Sequence, residues 1–207
     1  MSIIYYIHIH YHDLILNTLK SPSHVSLTGT FNTLDVRLYR TYKTPTTSKA
    51  ITFAKPFIAP PGLPLGLNYL DLGNEANIRI KAYASDITSN GFCNHIDSWS
   101  DTALYAGGAS WLNLARDHLE FQHGQFSTRS DTQSRLSSRR IAFEHPFKSP
   151  PKVIVFFNAL DLDKQFSWRI WTYATDIDTM GFTIHIETWD NTVAYGAAAA
   201  GRMDRLS

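Results

Sequence analysis

The chain has 207 residues, 43% of them apolar, 13% aromatic and only 18% charged, with a formal net charge of +1. That length can bury a sizeable core in one domain or two, and a charged fraction below the about 25% of average domains excludes a disordered chain. Near-equal numbers of basic and acidic residues leave no footprint for nucleic acid, the lone Cys93 excludes an intrachain disulfide framework or thiolate metal cluster, and no apolar run is long enough to span a membrane.

In chain order, the first twenty residues are apolar in part, but His8, His10, His12 and Asp13 interrupt the run and no basic segment precedes it. This pattern lacks the parts of a signal peptide. Residues 1–22 therefore read as an N-terminal extension, and the expected location is the cytoplasm, or the cell exterior by a non-classical route. The three histidines alternate, which on a strand places three imidazoles on one side, a geometry suited to Zn²⁺. No carboxylate base follows in a metalloenzyme pattern, so an edge-strand fragment is the preferred reading and neither metal nor cofactor is expected.

Beyond the extension the sequence repeats itself. Sliding it by 90 lays residues 51–105 on 141–195 with 23 identities in 55 ungapped positions. Ile51-x-Phe53-x-x-Pro56-Phe57-x-x-Pro60-Pro61 recurs from Ile141, and Asn68-x-Leu70-Asp71-Leu72 recurs from Asn158. Tyr83-Ala84-x-Asp86-Ile87, Gly91-Phe92, His95-Ile96, Trp99, Thr102 and Tyr105 all have partners 90 residues on. Upstream, Gly29-x-Phe31-x-Thr33 matches Gly124-x-Phe126-x-Thr128 at an offset of 95, so the first loop of copy one is five residues longer. A period of this length fits a small domain and is too long for a solenoid unit. Two domains follow, at 23–115 and 116–207.

Each copy alternates apolar and polar residues with a period of two. Ile78, Ile80 and Ala82 oppose Arg79, Lys81 and Tyr83; Trp168, Ile170 and Thr172 oppose Arg169, Trp171 and Tyr173. After a turn, Phe92, Ile96 and Ser98 oppose His95, Asp97 and Trp99, and Phe182, Ile184, Ile186 and Thr188 oppose His185, Glu187 and Trp189. The run Val153–Phe157 predicts a more deeply buried strand. No segment shows a helical period with caps. Five to seven short strands in about 90 residues, punctuated by Pro-Pro and Gly, predict an all-β protein of two antiparallel sandwiches.

The face away from the core carries Arg79 and Trp99, with Tyr105 six residues on, and in the second copy Arg169, Trp189 and Tyr195. An aromatic ring can pack on the apolar face of a pyranose while a guanidinium and nearby carboxylates hold its hydroxyls. The same residue types anchor protein–protein interfaces, so sugar binding and a plain assembly surface both stand on these residues alone. The other polar residues have structural readings. His95 and His185 are strand histidines with hydrogen-bond partners; Asp71, Asp161, Asp86 and Asp176 sit beside turns as backbone caps. Cys93 has no basic neighbour to activate it, and no nucleophile elbow, phosphate loop or paired-carboxylate motif marks an enzyme.

Taken together, I-x-F-x-x-P-F-x-x-P-P, the Leu-Asp strand, Y-A-x-D-I, G-F and W-x-D-T-x-L-Y, the last as W-x-N-T-x-A-Y in copy two, resemble the H-type lectin domain, in order and twice, over about 23–114 and 117–200. The resemblance implies six-stranded antiparallel sandwiches, a homotrimer, metal-free recognition of glycans bearing N-acetylgalactosamine (GalNAc) or galactose, and no catalysis. It assigns the sugar-binding Arg to Arg79 and Arg169, the Trp to Trp99 and Trp189, and the Tyr to Tyr105 and Tyr195. The position after the Trp, a His in the snail member of the family, is Ser100 in one copy and Asp190 in the other. Ionised Asp can only accept a hydrogen bond, whereas Ser does both, so the two copies are expected to differ in preference. An Asp from the long first loop falls on Asp35 and, in the second copy, Asp131. Copy two also departs at its end, where Asn191, Ala194 and Gly201 replace Asp101, Leu104 and Trp111; its last strand is expected to fray.

Overall fold

A period of two puts every second side chain on one face of a strand. In the computed structural model, which describes residues 28–39, 44–115, 121–128 and 136–204, that face is the core. Ile78, Ile80 and Ala82 are 3%, 0% and 0% exposed, and Phe92, Ile96, Phe182, Ile184 and Ile186 join them. The first copy contains β1 (Thr28–Asn32), β2 (Thr46–Thr52), β3 (Leu65–Leu72), β4 (Ile78–Ser85), β5 (Gly91–Ser98) and β6 (Leu104–Leu112). The second contains β7 (Phe121–Ser127), β8 (Leu136–Ala142), β9 (Lys152–Leu162), β10 (Ile170–Thr175), β11 (Gly181–Thr188) and β12 (Ala194–Asp204). Among the described residues the helical content is one 3₁₀ turn, Thr33–Asp35, whose Asn32 and Asp35 side chains cap it reciprocally.

The strands hydrogen-bond in antiparallel triplets: β1-β6-β3 and β2-β5-β4 in copy one, β8-β11-β10 and β7-β12-β9 in copy two. All-β sandwich architecture is what the patterning predicts. One join is additional. β4 also pairs with β9, with Ile78, Arg79, Ile80 and Lys81 opposite Leu162, Asp161, Leu160 and Ala159, so two triplets from different copies fuse into one six-stranded sheet. Lys164, in the loop after β9, reinforces the join: its N–H donates to Asn77 Oδ1 at 3.1 Å and its Nζ to the Glu75 carbonyl at 2.8 Å. β9 is thus an interior strand, as its apolar run predicts, although its buried residues are Val155, Asn158, Leu160 and Leu162 rather than the whole of Val153–Phe157.

Two expectations need correction, the first of them about copy two. Its last strand does not fray. β12 is hydrogen-bonded to β7 on one side and β9 on the other over nearly its whole length, and Ala197–Asp204 are buried. The small residues Ala197 to Gly201 let it lie between two strands. Past them a buried ion pair, Arg202 Nε to Asp204 Oδ1, stands where copy one has Leu112 and Leu114. Asp86 and Asp176 are not caps of backbone N–H groups: each has a left-handed backbone, φ 50° and 49°, and accepts from the preceding hydroxyl, Ser85 or Thr175. Asp178 does the capping in copy two, accepting from the N–H groups of Met180 and Gly181, and Thr88 Oγ does it in copy one.

The exchange of Trp111 for Gly201 leaves a mark on two equivalent glycines. A Cβ on Gly29 would sit 2.1 Å from the Trp111 ring, whereas one on Gly124 would meet nothing within 4 Å. Trp111 is buried and packs edge-to-face on Phe92, so it cannot swing away. Gly29→Ala is expected to cost about 1–3 kcal/mol through overpacking. Gly124→Ala should be neutral or stabilise by up to about 1 kcal/mol, by restricting the unfolded chain. Thermal unfolding of the two variants reads the difference; equal melting temperatures would contradict it.

Candidate functional site

Ile80 lies opposite Ser98 in the β4–β5 ladder, so one step on, Arg79 and Trp99 share the face turned away from the core. The Arg79 guanidinium donates from Nη1 to Asp101 Oδ1 at 2.6 Å, and its Nε lies 3.6 Å from Oδ1 of Asp161 on β9. Its side chain is 18% exposed, while the Trp99 ring beside it is 39% exposed. The turn that presents the ring is built from local chemistry. Ser100 takes a left-handed conformation, φ 58°, and the Thr102 N–H donates to the Trp99 carbonyl. Thr102 Oγ1 then donates to the Asn77 carbonyl at 2.7 Å, tying the turn to the start of β4.

Copy two repeats the device with different polar groups. Asp190 is also left-handed, φ 58°, and Thr192 Oγ1 donates to the Ser167 carbonyl while accepting from the Arg169 N–H. Arg169 donates from Nη1 to Asn191 Oδ1 at 2.9 Å and lies 3.1 Å from Asp190 Oδ2. Trp189 is 50% exposed. Arg169 therefore leans on the carboxylate that follows the Trp. Arg79, with Ser100 there, turns to Asp101 and to Asp161 of the other copy.

The two tyrosines have different surroundings. Tyr195 donates to Asp163 Oδ2 at 2.6 Å, and Asp163 is itself held by the Gln165 N–H. That hydrogen bond, burial and the carboxylates of Asp163 and Asp161 push the Tyr195 hydroxyl up; the Arg79 guanidinium pulls it down. Tyr195 thus belongs to the surroundings of Arg79. The β4–β9 join gathers Arg79, Trp99, Ser100 and Asp101 from copy one and Asp161, Asp163 and Tyr195 from copy two. At the far edge of copy one, Tyr105 stacks on Tyr39 with centroids 5.4 Å apart, and burial and the hydrogen-bonded Asp71 carboxylate push the Tyr39 hydroxyl up. Asp35 lies in the segment leading to Tyr39; it caps the Asn32 N–H and reaches Lys49 at 3.5 Å. Asp131, like His8, His10 and His12, lies outside the described residues.

The carboxylates of the joined site are unequal. The hydrogen bond from Arg79 holds Asp101 below the ordinary carboxylate range. Burial pushes Asp161 up against the pull of the same guanidinium. Arginine has five N–H donors in a planar fork, and the two contacts described use Nη1 and Nε, so further donors can meet a ligand. A half-exposed indole, a positioned guanidinium and acceptor carboxylates can bind a neutral polyol.

The nearby histidines are structural. Tyr83 stacks on His95 at 4.5 Å and donates to Asp97, and Tyr173 does the same with His185 and Glu187. Ser85 Oγ donates to Asp86, so His95 Nε2, 2.8 Å away, must donate to Ser85. That proton runs opposite to what a serine nucleophile needs. Among the described residues no cluster of three His, Cys, Asp or Glu side chains could hold a metal.

The H-type lectin domain matches the chain over residues 48–113 and again over 138–200, more than half its length. The chain belongs to the H-type lectin family. That family and fold are non-catalytic and carbohydrate-binding. The chain is also similar to two solved structures of discoidin II from Dictyostelium discoideum. The recombinant protein is 14% identical with a TM-score of 0.38, covering 87% of this chain and 96% of that one; the wild-type protein is 12% identical with a TM-score of 0.39, covering 90% and 99%. Over 64 residues the chain is 34% identical to the product of ATP synthase subunits region ORF 7 of Fuscovulum blasticum; the match spans 31% of this chain and 56% of that relative, just over half its length. The family assignment rests on the duplicated domain match.

Several residues of this H-type lectin's joined site escape a reading within one copy. Asp161 reads as a turn cap in sequence, yet it faces Arg79 across a strand pairing that no motif announces. Asp163 has no counterpart, because Gly73 stands there in copy one, and that mismatch inside an otherwise repeated Leu-Asp strand is its only signal. Thr102 and Thr192 were visible as repeated identities without a role; both tie the Trp turn to the Arg strand.

Proposed function

We propose that the protein is a multivalent lectin for GalNAc- or galactose-type glycans, acting in recognition, adhesion or defence. The observation that carries this reading is the joined site. Trp99 offers a flat apolar face, Arg79 a fork of donors fixed by Asp101 and Asp161, and Tyr195 a hydroxyl fixed by Asp163. Arg169, Trp189 and Asp190 form the core of a second site, and Tyr105, with Asp35 and Asp131 from the first loops, belongs to the same design. Single sugar sites are weak because few hydroxyls replace well-solvated hydrogen bonds. Two sites per chain in a homotrimer give six, and linked sites raise avidity by about 10²–10⁴ where geometry permits. A second reading, an assembly module whose sugar sites are lost, is favoured by the exposure of Trp171, 51%, on the same face.

The full-length protein should be retained on a galactose-type matrix and eluted by free sugar; passage without retention favours the assembly module. Retention should weaken on the acid side because burial pushes Asp161 up, so it takes its proton at a higher pH than an ordinary aspartate. The neutral acid accepts fewer hydroxyl hydrogen bonds and pulls less on Arg79. Asp161→Asn should bind more weakly at neutral pH and lose this early acid limb. An unchanged pH profile in that variant contradicts the role given to Asp161.

A further inference from the structure

Ile170 lies opposite Thr188 at the end of the β10–β11 ladder, so Arg169 and Trp189 form the first row of the outer face one step beyond it. The next row on that face is Trp171 opposite Glu187. The Trp171 indole is anchored there. Its Nε1 donates to Glu187 Oε2 at 3.0 Å, and the Tyr173 hydroxyl donates to the other oxygen, Oε1, at 2.5 Å. These hydrogen bonds, from Tyr173 first and Trp171 second, hold the Glu187 carboxyl below its ordinary range, so the anchor stays ionised. The Tyr173 ring lies 4.5 Å from the indole, centroid to centroid, and His185 stacks on Tyr173 in turn. Trp171 remains 51% exposed. Copy one has no such platform: Lys81 and Asp97 stand at these positions, and the Lys81 ammonium lies 4.6 Å from the centre of the Tyr83 ring.

We propose that Trp171 is a second sugar subsite, which takes the unit joined to the galactose-type residue at Arg169 and Trp189. Copy two then reads a neutral disaccharide or longer glycan, whereas copy one reads a single unit. The subsite rests on the lectin reading of this face. Its two rows are two strand residues apart, about 6–7 Å, close to the advance of one pyranose along a glycan. An indole whose N–H is already satisfied offers a ligand its apolar face, which suits the C–H face of a sugar. A ring held in place beforehand loses little freedom on binding. The strongly hydrated ammonium of Lys81 offers no equivalent surface.

Titration calorimetry of the full chain, in an Arg79→Ala background that leaves copy two as the stronger site, tests the subsite. The probes are methyl galactoside, lactose and the linkage isomers of lactose. At least one disaccharide should bind about three- to tenfold more tightly than methyl galactoside, the gain from covering one further pyranose face. Trp171→Lys, which installs the residue of copy one, should abolish that margin and leave methyl galactoside binding and the melting temperature unchanged. Trp171→Tyr, which keeps a ring, should retain part of the margin. Methyl galactoside binding with no tighter disaccharide overturns the subsite and leaves the lectin reading intact, as does a margin that survives Trp171→Lys. A margin lost together with a change in sedimentation coefficient also overturns it, because Trp171 then lies between chains. An intact protein that binds none of the probes overturns the subsite and the galactose-type reading together.

Discussion

Arg202→Leu is expected to cost about 3–5 kcal/mol of stability, and adding Asp204→Leu to recover most of that loss. Arg202 and Asp204 are 3% and 8% exposed and hold each other at the end of β12. Removing one partner leaves the other charge buried and uncompensated, which is strongly destabilising, whereas replacing both with apolar side chains of similar size is often neutral or better. The protein contains its own precedent: Leu112 and Leu114 occupy these positions in copy one, 5% and 6% exposed. The pH dependence follows from the direction of the shift. Burial pushes the Asp204 carboxyl up, and Arg202 pulls it back. A carboxyl raised in the folded state stabilises folding when protonated, below its unfolded pKa, and that contribution disappears as pH rises through the folded value. Without Arg202 the folded value climbs further. The deficit of Arg202→Leu is therefore largest at neutral pH and shrinks on acidification. Denaturant unfolding at pH 7 and at mildly acid pH measures both effects; a deficit that grows in acid contradicts the assignment.

Arg79→Ala is expected to weaken monovalent sugar binding at the joined site by about 10- to 100-fold. Hydrogen bonds from a charged group contribute about 1.5–3 kcal/mol each, and 1.4 kcal/mol is tenfold in affinity. The substitution also takes from Asp161 its ionic neighbour among the described residues and frees Asp101, so the acceptors on either side lose their alignment. Arg169→Ala should have a smaller effect in the free chain, because the partners of Arg169 among the described residues, Asn191 and Asp190, both come from its own copy. Titration calorimetry with a simple galactoside separates them. Equal losses from the two substitutions would contradict the joined-site geometry.

The strands were legible in the sequence because period-two alternation is a local consequence of backbone geometry. Ile78, Ile80 and Ala82, or Phe182, Ile184 and Ile186, face the core just where alternation puts them. The Arg–Trp pairing across β4 and β5 was legible too, since the duplication marked both residues twice. What stayed hidden was the β4–β9 join, because strand partners separated by 78 to 84 residues leave no periodic signal. Asp161, Asp163 and Tyr195 therefore read as members of copy two when they complete the surroundings of Arg79. The order of β12 was misread for a related reason. Loss of Trp111 from the pattern looked like decay, but the small side chains replacing it suit a strand hydrogen-bonded on both sides, and the Arg202–Asp204 pair fills the space that Leu112 and Leu114 fill elsewhere.

Glycan-array binding by the intact protein, beside Arg79→Ala, Arg169→Ala and the double variant, tests the lectin reading most directly. Binding to terminal GalNAc or galactose that drops in each single variant, more steeply for Arg79→Ala, and vanishes in the double is the expected result. A folded protein that binds no glycan, or a double variant that binds as the intact protein does, would contradict it.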